Sequence, residues 1–165
     1  MRHSPDIILD PNAYNDDGLL RAPMPLVLVM VYQARYLLIL PLAALTDFLG
    51  RGPMGAALGA GDPVLPPWVL LPASLPALAV IAAWARRQPK AGRMVRWLWR
   101  RGRGLLVAGA ALDLALMVPV AVGGGLPVTA VILMALAGFY SLLYLIRSRR
   151  LPAVFADFPE PDGKR

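Results

Sequence analysis

Four long apolar stretches, each closed by proline, glycine or arginine, constrain this chain more than anything else in it. They run from Leu26 to about Leu49, from Pro67 to Ala85, from Leu105 to about Val122 and from Pro127 to Ile146. About 20 apolar residues in a helix cross a hydrocarbon core some 30 Å thick, and all four stretches are near that length. A chain of 165 residues with 58% hydrophobic and only 16% charged residues is far from the composition of a soluble domain. The pattern predicts an all-α polytopic membrane protein. Four transmembrane helices form an antiparallel bundle over residues 26–146, between an N-terminal tail, 1–25, and a C-terminal tail, 147–165.

The segments between the stretches carry turn chemistry. Asp6, Asp10, Asp16 and Asp17 stand with Asn12, Asn15 and Gly18 in the opening tail, with no apolar periodicity. Nothing there has the basic start and short apolar run of a cleavable signal peptide. Pro23 and Pro25 stand where a helix tolerates proline, at its mouth. The first span holds Gln33, Arg35 and Pro41, and the proline predicts a kink that neighbouring helices can accommodate. Residues 50–66 read as a Gly/Ala/Pro connector charged only at Arg51 and Asp62, with one short helix near Met54 to Leu58. Pro72 and Pro76 interrupt the second span, and Trp68 and Trp84 mark its two interfaces. Asp113 and Pro119 lie in the third span, which a tight Gly123–Pro127 link joins to the uncharged fourth.

The formal charge of +7 raises nucleic acid as a partner until its positions are read. Arg86, Arg87, Lys90, Arg93, Arg96, Arg100, Arg101 and Arg103 all lie between spans two and three, with no acid among them. This is a juxtamembrane cluster: a topology determinant, or a binding surface for anionic membrane lipid. Arg93, Arg96, Arg100 and Arg103 repeat at helical spacing, with Met94, Val95 and Leu98 on another face and Trp97 and Trp99 adding amphipathic bulk. A short basic helix lying in the interface between helices two and three is expected. Arg147, Arg149 and Arg150 follow span four, while the two other loops hold Arg51 and nothing. Short-loop Lys/Arg counts therefore put both termini in the cytoplasm and the chain in a bacterial inner membrane.

Chemistry-bearing residues are few. There is no cysteine, and His3 is the only histidine, so thiolate sites, zinc and histidine general-base chemistry lack their residues and no cofactor is expected. Asp17-Gly18-Leu19-Leu20-Arg21 faintly resembles the start of the CDP-alcohol phosphotransferase signature, but the later metal-binding aspartates are missing. Gly102-Arg103-Gly104 lacks the third glycine and the preceding strand of a dinucleotide loop. A lipid enzyme would have only Asp16, Asp17, Arg21 and Asp157 near the cytoplasmic interface.

The sharpest signal is a charge deep inside each of two spans. Arg35 lies nine residues beyond Leu26, and Asp113 eight beyond Leu105. At about 1.5 Å of rise per residue the two reach the same depth from the same face. A lone charge at mid-membrane costs about 2.5–3.5 kcal/mol on insertion scales, and opposite charges at matched depth offset much of it. The depths predict an Arg35–Asp113 pair helped by Gln33 or Tyr36. It either fixes helix register or serves a proton or anion relay; without a pair, Arg35 snorkels toward the headgroups and Asp113 faces water. The small-residue spacings Gly109/Asp113, Ala111/Ala115 and Ala79/Ala83 also permit close helix approach, although in so Ala-rich a chain such spacing arises by chance.

Tyr14-Asn15-Asp16-Asp17-Gly18-Leu19-Leu20-Arg21-Ala22-Pro23, Gln33-Ala34-Arg35, and Arg147-Ser148-Arg149-Arg150 leading to Phe155-Ala156-Asp157-Phe158-Pro159 resemble DUF2919, a family of small bacterial inner-membrane proteins, over nearly the whole chain. The resemblance implies a four-helix membrane protein and no particular activity. With so little for catalysis to work with, a non-enzymatic accessory, assembly or scaffold subunit is expected, in contact with a protein partner or a second copy. The alternative is a small transporter or ion-coupled channel built on Arg35 and Asp113.

Overall fold

A computed structural model describes residues 20–48, 67–88, 91–122 and 127–158, and every element in them is helical. Helix α1 spans Met24–Phe48 and α2 spans Leu71–Ala85, led in by a 3-10 turn at Pro67–Leu70. The long helix α3 runs over Arg93–Val122, α4 over Val128–Arg147 and the short α5 over Leu151–Ala156. Two of them, α3 and α4, are long and apolar enough to cross a membrane; Met24–Leu37 of α1 and the whole of α2 are shorter apolar helices. The connector 50–66 with its expected helix, residues 123–126, Lys90, the tail before Leu20 and the Trp68 side chain lie outside the described residues.

Proline sets several of these boundaries. Pro23 precedes α1, Pro72 sits in the first turn of α2, and Pro127 caps α4, all positions that need no helical N–H. Pro41, Pro76 and Pro119 lie inside α1, α2 and α3.

Packing follows narrow stripes. The buried residues of α3 are Trp99, Gly102, Leu106, Gly109, Ala110, Asp113 and Met117, three or four residues apart except for the adjacent Gly109 and Ala110, so that one face is covered. On α2 the buried residues are Ala73, Ser74, Ala77, Val80 and Ala83, small enough to bring backbones close. Helix α3 packs chiefly against α2 and α4, and α1 packs against α2. Gly138 of α4 lies so close to α3 that an added Cβ would meet Leu114 Cδ2 at 2.9 Å. The other face of α4, with Leu133, Leu136, Phe139, Tyr140 and Ile146, is exposed. Soluble monomers rarely leave so large an apolar surface uncovered.

Two expectations are corrected. The basic stretch does not form a separate interfacial helix: from Arg93 it runs without interruption into the third apolar stretch, as one helix of 30 residues. No proline or turn sequence stands between Arg93 and Pro119, and Gly102 and Gly104 cost a helix only about 1 kcal/mol each. Nor is Trp99 amphipathic bulk at an interface, because it is fully buried whereas Trp97 is exposed. What covers Trp99 is the chain after span four, where Leu151, Val154 and Phe155 are themselves buried.

Candidate functional site

Helix α1 turns Leu26, Val29, Met30, Gln33 and Tyr36 inward at helical spacing, with Tyr36 packed against Ala73 of α2 and Met117 of α3, while Arg35 lies off that stripe, half-buried. There the structure joins Arg35 to Asp113. Arg35 Nη2 donates to Asp113 Oδ1 at 2.8 Å and to Oδ2 at 2.9 Å, with the aspartate only 2% exposed. The same nitrogen reaches the Tyr36 hydroxyl at 2.6 Å, and Nη1 donates to the Tyr32 carbonyl at 2.9 Å. Tyr32 and Tyr36 also offer their ring faces, 4.0 and 4.2 Å from the guanidinium carbon. A desolvated cation gains from such faces, so Arg35 is neutralised by a carboxylate and held by two rings at once.

Tyr32 is the member of this group that sequence reading missed. Its hydroxyl donates to the Met134 carbonyl at 2.7 Å and so ties α1 to α4. Its spacing of three from Arg35 on a helix was the available signal.

Gln33 stands two residues before Arg35 on α1. Its Nε2 donates to the Leu106 carbonyl at 3.0 Å, and its own carbonyl accepts from Ser74 Oγ at 2.6 Å. Gly109 makes this possible, since a Cβ there would stand 2.9 Å from Gln33 Oε1 and 3.3 Å from the Ala73 carbonyl. That spacing signal was real at Gly109 and Ala83, while Ala111 and Ala115 face outward. Gln33 Oε1 and Arg35 Nε are buried without a hydrogen-bond partner.

The basic cluster is divided by function. Arg87, its side chain 6% exposed, donates to the Leu20 carbonyl at 3.1 Å, the Asp157 carbonyl at 2.6 Å and Asp157 Oδ2 at 3.1 Å. Asp157 Oδ2 also accepts the Leu20 N–H at 2.8 Å, so one carboxylate joins the segment before α1, the end of α2 and the end of α5. Trp99 Nε1 donates to the carbonyls of Val154 and Asp157, and its ring lies 4.9 Å from Phe155. Burial draws the Arg87 guanidinium below its ordinary pKa and Asp157 opposes this, leaving an arginine that stays charged. Arg103 caps α4, donating to the carbonyls of Leu145 and Ile146 at 2.9 and 2.8 Å, which no helical N–H reaches. Arg96 stands 5.5 Å over Phe158, and Arg101 5.3 Å over Trp97. Arg86, Arg93, Arg100 and Arg101 are exposed.

Among the described residues no group of three metal-ligating side chains exists, and Asp16 and Asp17 lie outside them. The model of DUF2919, a protein family of unknown function, matches residues 67–157, more than half of the chain. The chain belongs to the DUF2919 family. The match takes in α2 to α5, including Asp113, Arg87, Trp99 and Asp157, and leaves out α1 with Arg35. The resemblance is thus narrower than the nearly complete coverage expected. No curated protein and no solved structure matches this DUF2919 member.

Proposed function

We propose that this chain is an integral protein of the bacterial inner membrane, with four antiparallel spans and both termini in the cytoplasm, serving as a non-enzymatic accessory, assembly or scaffold subunit. The loop charge counts support the orientation. Burial of polar groups with exposure of apolar ones along α4 supports lipid as the solvent. One observation carries the non-enzymatic role: every Arg35 nitrogen but Nε is engaged from within. Both carboxylate oxygens of Asp113, the Tyr36 hydroxyl, the Tyr32 carbonyl and two ring faces engage Arg35, leaving a register lock rather than a reactive group.

The test is purification from native membranes in mild detergent. A stoichiometric membrane partner or a self-associated form is expected, and a lone monomer would overturn the subunit role. Separately, Arg35→Asp and Asp113→Arg should each destabilise the chain, with the double swap recovering part of the loss. Equal loss in all three would remove the lock.

A small transporter or ion-coupled channel is the second reading. It is favoured by Gln33 Oε1 and Arg35 Nε, since unpartnered buried polar atoms are where interior water binds. The chain has no cysteine, so Ser74→Cys would be its single thiol. Labelling of that thiol by a membrane-impermeant maleimide favours a water path; protection from it favours the lock.

A further inference from the structure

The basic half of α3 holds a separate feature. At about 1.5 Å per residue its 30 residues extend about 45 Å, some 15 Å more than a hydrocarbon core. The Arg93 end therefore stands at headgroup level when the apolar end is in the membrane. Arg87 and Arg103 are consumed by the fold, but Arg86, Arg93 and Arg100 point away from it, the last two separated by two helical turns. No acid lies between residues 86 and 103 to neutralise them, and the nearby Asp157 is engaged by Arg87. Beside them Met94 and Trp97 are exposed, the apolar partners that an interfacial surface needs. Arg86 also lines an open groove of about 290 Å³ with Gln88, Ala91, Gly92 and Val95. Nothing stands within 4 Å of where a Gly92 side chain would begin.

We propose that this surface, Arg86, Arg93 and Arg100 with the groove beside Gly92, binds the headgroup of an anionic phospholipid of the cytoplasmic leaflet. Charge selects the headgroup: three guanidiniums with no acid partner among the described residues favour a phosphodiester that carries no cation of its own. Exposed Met94 and Trp97 beside them select a molecule with acyl chains over a free anion. The proposal rests on the four-span reading for the leaflet alone.

The test takes the full chain in detergent and measures lipid bound per chain by native mass spectrometry, with phosphatidylglycerol and phosphatidylcholine supplied equally. About fivefold or greater preference for phosphatidylglycerol is expected, consistent with the surface attraction of several basic side chains. It should fall to near parity in Arg86→Gln/Arg93→Gln/Arg100→Gln. The variant Arg21→Gln/Arg147→Gln/Arg149→Gln removes the same charge from other exposed positions and should keep the preference. Equal loss in both variants, or no preference in the unaltered chain, overturns the site; release by excess inorganic phosphate overturns a lipid as its occupant. Gly92→Cys should label in intact cells only after permeabilisation. Labelling from outside overturns the orientation and with it the leaflet, whereas lost preference with labelling confined to the inside overturns the site alone.

Discussion

At the residue scale the molecule is decided by a few atoms placed against backbone. Gly109 and Gly104 stand five residues apart in α3 and differ in what surrounds them: Gln33 Oε1 and the Ala73 carbonyl crowd the first, and nothing lies within 4 Å of the second. Gly109→Ala should lower stability by about 1–3 kcal/mol, the usual penalty of overpacking. Gly104→Ala should be neutral or gain up to about 1 kcal/mol from helix propensity. Thermal unfolding of the two variants in one detergent checks both, and a Gly109 variant as stable as the Gly104 one would contradict the contact. Asp113→Asn is the sterner change, because it leaves Arg35 charged, buried and without its carboxylate. Breaking a buried pair from one side costs about 3–5 kcal/mol in soluble proteins. Arg35→Gln/Asp113→Asn removes both charges and should recover much of that loss, as read from unfolding midpoints.

The clasp between α3 and α5 belongs to the scale of elements. A six-residue helix has no stability of its own; α5 exists because Trp99, Gly102 and Arg87 receive it. A Cβ on Gly102 would stand 2.6 Å from Phe155 Cε1, so Gly102→Leu should expel the ring and expose the segment after Arg147 to protease. Asp157→Ala should act in the same direction more mildly, by about 1–2 kcal/mol, because its carboxylate is a third exposed. Limited proteolysis should show cleavage in 148–158 several times faster than in the unaltered chain, and unchanged rates would mean that α5 is held elsewhere. The helices of this chain were readable in advance because apolar length and proline are local signals: Met24, Ala85, Val122 and Arg147 fall within two residues of the expected span ends. The Arg35–Asp113 contact was also readable, since rise per residue is constant along a helix. The clasp was not. It joins Leu20, Arg87, Trp99 and Asp157 across as many as 137 residues, and no periodicity announces a tryptophan among arginines whose partner lies beyond the last span. The continuity of α3 is illegible for a related reason: the change from basic to apolar at Gly104 is a change of composition with no change of backbone geometry.

For the whole molecule, on the proposed four-span reading, the central quantity is where charge stands relative to the membrane. Fusions of a cytoplasm-active reporter after residues 90 and 165 should be active, and fusions after residues 58 and 125 inactive, with the opposite pattern for an export-dependent reporter. Activity of a cytoplasmic reporter after residue 125 would remove the two-sided arrangement of α3 and α4. The ties already described fall at two heights. Arg35, Tyr32 and Gln33 join α1 to α2, α3 and α4 among their apolar residues, and Arg87, Trp99, Arg103 and Asp157 join the same helices at the basic end.

That α3 passes from its greasy to its cationic part without a joint makes it a stiff lever. On the proposed four-span reading, a thinner or thicker bilayer is met by leaning such a rod, because it does not break at the surface. Arg103 fastens the foot of α4 to it, so the two lean together. Any change of inclination would then sweep Arg93 sideways through the headgroup layer, converting the thickness of the membrane into a position along it.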